Sequence, residues 1–363
     1  MNEDLDNFEP VARIIVIGVG GAGNNAVNRM IDENIDNVDF YVVNTDKQAL
    51  SSSKAPHRLT LGERLTNGLG AGGNPQVGKE AAEASEAELK EIINGANLVF
   101  IAAGMGGGTG TGAAPVIARY AKEAGALTIA IVTRPFTFEG PTRTNNSIEG
   151  LNNLKENVDS LIVVSNDKLL MNVGNLPAGQ AFSESDKVLA SSVKTVTDLI
   201  LMPAFINLDF ADVKTTLENG GVALIGFGSG EGERAAEDAA ISALGCPLIE
   251  QSIQGATKGI CHITCGPQVS LFACQDCVTK IKEASGGEMD IKFGISQNDI
   301  LGDQIMVSLI ASCFKSDIIF TANGEGDLLV NPMKNQESII PEIDDIKITD
   351  DEDIIPSFLI GNK

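Results

Sequence analysis

The 363-residue sequence predicts an α/β protein. A parallel, doubly wound sheet comes first, then one long helix, then a smaller α/β domain with a mixed sheet, and finally an acidic, disordered tail. Three observations predict this. Short apolar runs rich in β-branched residues recur through the first half, continuous rather than alternating, as in strands buried on both faces. Helical periodicity fills the gaps between them. One apolar stripe then runs unbroken for about five turns before the pattern changes.

In chain order, the first runs are RIIVI (13–17), VDFYVV (38–43), NLVFIAA (97–103), ALTIAIV (126–132) and SLIVVS (160–165). Helices are expected over Asn24–Glu33, Val77–Asn94 and Ala113–Gly125. In the last, Val116, Ile117, Tyr120, Ala121 and Ala124 share a face, and Pro115 sits in the first turn, where a missing N–H costs little. Over Ser183–Leu201 the apolar residues Leu189, Val193, Val196 and Ile200 recur at helical spacing, and Pro203 ends the run. That is one helix of roughly 19 residues, about 28 Å long, suited to connect two domains. Further strands are expected at 223–228, 259–265, 289–295 and 305–311, with helices over Ala235–Leu244 and Asp276–Ala284. Residues 331–355 hold eight acids against Lys334 and Lys347, which reads as a flexible linker before the apolar end IIPSFLIGNK.

The chain carries 49 acidic and 26 basic side chains, a net charge of −23. Such a surface repels a nucleic-acid backbone, so nucleic acid is excluded as a partner. The start, MNEDLDNFEP, has no apolar run, and no stretch is long enough to span a bilayer. A cytoplasmic protein without membrane insertion is expected. Its six cysteines then read as free thiols. Cys261, Cys265, Cys274 and Cys277, with His262, have a spacing that zinc could use, but Cys261, Ile263 and Cys265 alternate along an expected strand, as core residues do. No metal site from protein side chains is assigned.

Two glycine loops carry the chemistry. GVGGAGNN (18–25) follows the first strand, matches GxGxxG, and opens a helix whose N-terminus suits phosphate. Asp46 follows the second strand, which on its own would suggest a dinucleotide enzyme. GMGGGTGTG (104–112) also joins a buried strand to a helix, and six of its nine residues are glycine. So many glycines are too costly in chain entropy to serve only as turns. No lysine follows, so it is not a P-loop. Two such loops on one sheet suit a nucleotide di- or triphosphate gripped from two sides.

At these residues the chain resembles the tubulin/FtsZ family. GGGTGTG (106–112) is similar to the tubulin signature loop. GVGGAGNNAVN (18–28), VNTD (43–46), GLGAGGNP (68–75), RPFTFEG (134–140) and NLDFADVK (207–214) are similar to motifs of the bacterial cell-division branch, in the same order. The resemblance spans roughly residues 12–321. It implies a disordered N-terminus (1–11), a Rossmann-like GTP-binding domain (12–180), a central helix (181–202) and a C-terminal activation domain (203–323). A flexible acidic linker (324–352) and an adaptor-binding peptide (353–363) complete the chain.

The resemblance also implies roles. GTP or GDP with Mg²⁺ is the expected cofactor. Gly20, Gly21, Ala22, Gly23, Asn24 and Asn25 in the first loop, and Gly107, Gly108, Thr109 and Gly110 in the second, are expected to contact phosphate. Glu139 and Arg143 would meet the ribose and nearby phosphates, and Asn166, Phe182 and Asp186 the guanine. A carboxylate at 186 would accept from guanine N1–H and its amino group, a donor pair that adenine lacks. Asn207, Asp209 and Asp212 are the expected catalytic residues. They follow the long helix, too far from the glycine loops of their own chain, but within reach of the nucleotide of a subunit stacked head to tail. Acids of the next subunit would then position the attacking water, and glycine loops and Mg²⁺ would replace the missing lysine. A head-to-tail contact does not close, so it generates a filament, here the cytokinetic ring at mid-cell. Ile355, Pro356, Phe358 and Leu359 resemble the peptide that binds membrane-tethering adaptors, although the linker is short and only Lys363 supplies the basic end. A plasmid-partition filament, an NAD-dependent oxidoreductase and a non-hydrolysing nucleotide-binding scaffold are the competing readings. The oxidoreductase leaves the second glycine loop unexplained, and the paired Asp209 and Asp212 argue against the scaffold.

Overall fold

The computed structural model describes residues 12–173, 177–201, 204–246, 253–315, 318–320 and 327–328. The N-terminal eleven residues, Pro203 and everything from 329 onward, including the expected adaptor-binding residues, lie outside them, as does the side chain of Phe182.

In chain order the elements are β1 (Ile14–Val19), α1 (Gly20–Asp32), β2 (Asp39–Asn44), α2 (Lys47–Ser51), β3 (His57–Thr60), α3 (Glu63–Thr66), α4 (Pro75–Ala84), α5 (Glu86–Ile93), β4 (Leu98–Gly104), α6 (Thr109–Glu123), β5 (Leu127–Arg134), α7 (Pro141–Lys155), β6 (Ser160–Ser165), α8 (Asn166–Val173) and α9 (Ala178–Leu201). There follow α10 (Phe210–Leu217), β7 (Gly221–Gly230), α11 (Ala235–Leu244), β8 (Ala256–Cys265), α12 (Leu271–Ala284), β9 (Asp290–Gln297), β10 (Ile305–Phe314), β11 (Ile318–Ile319) and β12 (Asp327–Leu328).

Ten strands form one sheet in the order β3-β2-β1-β4-β5-β6-β7-β10-β8-β9. The two halves expected from the sequence are therefore hydrogen-bonded to each other, and β7 is the joint. Its first residues run parallel to β6, with Gly221 opposite Ser160 and Ala223 opposite Ile162. Its remainder runs antiparallel to β10, from Leu224 opposite Ala311 to Gly230 opposite Ile305. From β3 to β6 all pairs are parallel. The second half is mixed, since β8 pairs antiparallel with β10 and parallel with β9.

The continuous apolar strands have a direct cause. Ile14 and Val16 of β1 face one core with Leu189, Val193 and Val196 of α9. Ile15 and Ile17 face a second core with Ile117 and Ala121 of α6 and Leu151 of α7. Both faces are covered, so no position on the strand is left for a polar residue. A third core unites β7, β8, β10, α11 and α12, and holds Cys261, Cys265, Cys274 and Cys277.

Several helices differ from the periodicity reading: α1, α6 and α12 begin four or five residues earlier than expected, and α2, α3 and α8 were not expected. The expected helix 77–94 is two, α4 and α5, broken at Ser85. The Ser85 hydroxyl is buried and accepts from the Gly62 N–H at 3.0 Å, which fixes the break against the chain before α3. The long helix begins earlier, at Ala178, and has 24 residues, about 36 Å. Helix α7 is amphipathic only weakly because its exposed side is a run of Thr, Arg and Asn, so its periodicity is faint. Helix α10 is short and begins within NLDFAD, with Asp209 as its cap.

Candidate functional site

The two glycine loops meet. The chain order outward from β1 runs through β2 on one side and β4 on the other, so the strand order reverses between β1 and β4. In open α/β sheets ligands bind at such a reversal, beyond the carboxyl ends of the strands. Both glycine loops leave the sheet there, from the ends of β1 and β4. Gly20 opens α1 with φ +73°, and a Cβ on it would come within 2.9 Å of the Gly110 amide nitrogen. A Cβ on Gly110 would come within 2.5 Å of the Gly104 carbonyl oxygen. Only bare backbone lets the loops approach this closely.

Not every glycine is explained by packing. A Cβ added to Gly21 or Gly107 would meet nothing within 4 Å. Both line an open cleft of about 450 Å³. Their φ angles are not left-handed. The reason for glycine at 21 and 107 thus lies outside the protein's own packing and fits a ligand pressed against the backbone.

The cleft is built to hold an anion. α1 begins at Gly20 and α6 at Thr109, and neither has a side-chain cap on its first N–H groups or an acid in its first turn. Two helix N-termini with their donors unclaimed therefore open on one cavity. Gly21, Ala22, Asn25, Gly107, Gly108, Thr109, Gly110, Glu139, Arg143, Asn166 and Asp186 all line it. Gly20, Gly23 and Asn24 are not in its wall. They shape it: with its carboxamide oriented to suit its neighbours, buried Asn24 donates to the carbonyls of Gly18 at 3.1 Å and Gly20 at 2.8 Å.

Helices α8 and α9 contribute further polar groups to the cleft wall. Asn166 opens α8, is 8% exposed, and its Oδ1 accepts from the Ser185 hydroxyl at 2.9 Å. Next to Ser185, Asp186 has its carboxyl pushed up to about 6, because burial disfavours its charge more than Arg29 favours it. Glu139 accepts from the Phe136 N–H at 3.0 Å and from Arg143, so these two side chains form one paired wall. Thr133 and Ser185 also line the cleft and were not expected from the sequence. No motif marks them; Ser185 would follow from its place one residue before Asp186 on the same helix.

Asn207, Asp209 and Asp212 are elsewhere. Helix α9 passes the cleft at Ser185 and Asp186, its eighth and ninth residues, and its remaining 15 residues carry the chain about 23 Å away before NLDFAD begins. There the Asn207 Oδ1 accepts from the Ala204 N–H at 2.7 Å. Asp209 caps α10, accepting from the Asp212 N–H at 2.8 Å. Asp212 is half-buried, with the Lys292 ammonium 3.9 Å from its carboxylate.

The cysteines lie in the third core. Burial pushes the Cys274 thiol up to about 11 and Cys277 up to about 12. Among the described residues no three acids, thiols or imidazoles gather closely enough to hold a metal. No described helix is long and apolar enough to cross a membrane.

The chain is similar to known proteins over most of its length. Residues 13–174 match the GTPase domain of the tubulin/FtsZ family, and residues 221–315 match the C-terminal domain of the FtsZ family. The chain is 51% identical over 322 residues to the cell division protein FtsZ of Mycoplasmopsis pulmonis (strain UAB CTIP), covering 89% of this chain and 82% of that protein. An empty FtsZ dimer from M. jannaschii superposes with a TM-score of 0.82 at 40% identity, over 92% of this chain and 95% of that one. A GTPγS-bound protofilament of CetZ2 from Haloferax volcanii shares the fold at 22% identity, with a TM-score of 0.70 over 82% of this chain and 92% of that one.

Proposed function

The chain belongs to the tubulin/FtsZ family, as a cell-division GTPase of its FtsZ branch, and from that premise we propose that it polymerises head to tail and hydrolyses GTP between subunits. The filaments form the cytokinetic ring at the bacterial division site. The observation that carries the proposal is the separation within one chain: the cleft lies against Ser185 and Asp186, in the N-terminal part of α9, and Asp209 and Asp212 lie beyond its far end.

The cleft supports guanine nucleotide by its donor set. Amides of α1 and α6 take the phosphates, with Gly21 and Gly107 leaving the backbone bare. Asn166 and Asp186 take the base, Asp186 accepting as the carboxylate. Phe182, on the same helix, is a third candidate for recognising the base. Glu139 and Arg143 hold the ribose and neighbouring phosphate. Mg²⁺ would accompany the nucleotide, as an ion that keeps much of its hydration and pairs readily with phosphate. When bound, it neutralises charge on the phosphates.

For hydrolysis, GTP and water give GDP and phosphate. The neighbour's Asp212 and Asp209 orient the attacking water and accept its proton, with Asn207 beside them. Apolar side chains are exposed on both surfaces that would meet. Leu69 is 84% exposed and Phe138 71% near the cleft, and Phe205 is 71% exposed beside the acidic segment. A related chain, 40% identical, is known as a dimer. The C-terminal residues Ile355, Pro356, Phe358 and Leu359 tether the filament to membrane through adaptor proteins.

Phosphate release measured against protein concentration tests this. The rate per molecule is expected to be near zero at low concentration and to rise above a threshold. A mixture of two silent variants gives the stronger test. Asp212→Ala keeps the cleft and Gly108→Val keeps the acids, so mixing them restores turnover at the interface that pairs the intact halves. A rate per molecule independent of concentration, with no recovery on mixing, would sink the shared site.

A further inference from the structure

The hydroxyl of Thr45 has one use in this fold, and we propose that Thr45 is a positioning residue that aims the Thr109 hydroxyl at the bound phosphate. The proposal rests on reading the cleft as a guanine-nucleotide site. Thr45 follows β2 directly and is fully buried, at 0% exposure. Its Oγ1 lies 2.7 Å from Oγ1 of Thr109, the first residue of α6 and part of the cleft wall.

Two hydroxyls at this distance share one hydrogen bond. Which of them donates depends on what else each can reach. Thr45 Oγ1 has no other partner among the described residues, and water does not reach it. If Thr109 donated, the Thr45 proton would be buried with no acceptor, which is costly. Thr45 therefore donates and Thr109 accepts. The Thr109 proton is then directed elsewhere, and Thr109 is the partner that faces the cleft. The bond holds this hydroxyl as a donor toward the cavity before any anion arrives.

The other end of Thr45 is fixed as well. Its carbonyl accepts from the Gly70 N–H at 3.1 Å and from the Thr66 hydroxyl at 3.3 Å. The residue is pinned by its backbone to the segment after α3 and by its side chain to the second glycine loop. A freely rotating Thr109 hydroxyl would spend part of its time with a lone pair toward phosphate, which repels it. Fixing the donor beforehand removes that cost from binding.

The test is a double-mutant cycle on the full chain, reading GTP affinity by calorimetry. Thr45→Val removes the donor at nearly constant volume and is expected to weaken GTP binding about fivefold to tenfold. Thr45→Ser keeps the donor and is expected to bind within about twofold of the unaltered chain. On a Thr109→Val background Thr45→Val is expected to add nothing, because its effect passes through that hydroxyl. The assignment is overturned if Thr45→Val binds GTP like the unaltered chain, if Thr45→Ser is as weak as Thr45→Val, or if the two single losses add in full. Should Thr45→Val lose its folded circular-dichroism signal, Thr45→Cys, a weak donor of similar size, takes its place in the cycle with the same outcomes. If the unaltered chain binds no GTP, the nucleotide reading falls and Thr45 falls with it. GTP binding by the unaltered chain with Thr45→Val undiminished overturns the Thr45 assignment alone.

Discussion

The two ends of α9 are built on opposite plans. Beside its N-terminal part, two glycine loops press together, two helix N-termini keep their donors unclaimed, and the wall is shaped without a ligand. At its far end, the acidic segment spends its groups on itself: Asn207 and Asp209 each accept from a nearby backbone N–H, and Lys292 lies near Asp212. The first region is a finished receptor for an anion. The second is a well-formed surface segment whose polar groups, among the described residues, meet only near neighbours and Lys292. Binding is thus encoded inside the subunit, and the chemistry we propose is encoded in how subunits stack.

The largest test of that contrast is Asp212→Asn. The change keeps size and leaves the N–H that Asp209 caps, so folding is undisturbed. Phosphate release is expected to fall on the order of 10²- to 10⁴-fold, the range for loss of a positioned base. GTP affinity stays unchanged, since about 15 residues of α9 separate the cleft from this segment. An equal loss of affinity would show that the two ends are not separate.

A second test divides the glycines of one loop. Gly21 faces open space and Gly23 packs against the Ala102 carbonyl. Gly21→Val is expected to leave the melting temperature within a few degrees and to weaken nucleotide binding at least about tenfold, because the added atoms occupy the ligand's place. Gly23→Ala is expected to do the reverse first: it forces β4 and α1 apart and destabilises the fold by about 1–3 kcal/mol or more. Thermal melts beside nucleotide titrations separate the two. If both variants behave alike, the distinction between shaping and lining residues is wrong.

The sequence displays these regions unequally. Strands β1, β2, β4, β5 and β6 were legible because they are covered on both faces, which leaves a plain apolar run. The glycine loops were legible because bare backbone is the function. The joint at β7 was not, since a strand that changes partners midway from parallel to antiparallel leaves no mark in its residues. Nor was the sorting of Gly21 from Gly23, which depends on what lies across space. Asp209 and Asp212 could be noticed in the sequence, but the capping bond between them gives Asp209 a structural task that the motif alone conceals.

A third, smaller effect is a pH dependence at the receptor end. Burial raises the Asp186 carboxyl from its ordinary 3.8 to about 6. The folded chain therefore holds this proton more tightly than the unfolded chain does. The resulting stabilisation is fully present below about 4 and is lost as pH rises through about 6. Asp186→Asn carries no titrating group, so the nucleotide-free variant is expected to gain stability relative to the original as pH rises from about 4.5 to 7. Nucleotide should run the other way. The base needs the carboxylate as acceptor, so GTP affinity in the original chain is expected to climb over the same window. Parallel melts and titrations at both pH values check the two signs, and affinity that is flat with pH would remove Asp186 from the base site.

The smallest effect examines the other end of α9, where one carboxylate has two tasks. Asp209 caps α10 through a hydrogen bond from the Asp212 N–H, and it is also proposed to act on a neighbour's nucleotide. Serine caps a helix about as well as aspartate, whereas alanine does not, and losing a cap costs about 1 kcal/mol. Asp209→Ala should therefore lower stability by roughly that amount and abolish most turnover. Asp209→Ser should keep the stability and still lose the turnover, because the hydroxyl restores the cap but not the charge. That difference is a few degrees of melting temperature at most for a chain of this size, so it needs paired melts in one buffer. If Asp209→Ser retained full turnover, the carboxylate would serve only to begin α10, and the proposed chemistry would fall to Asp212 alone.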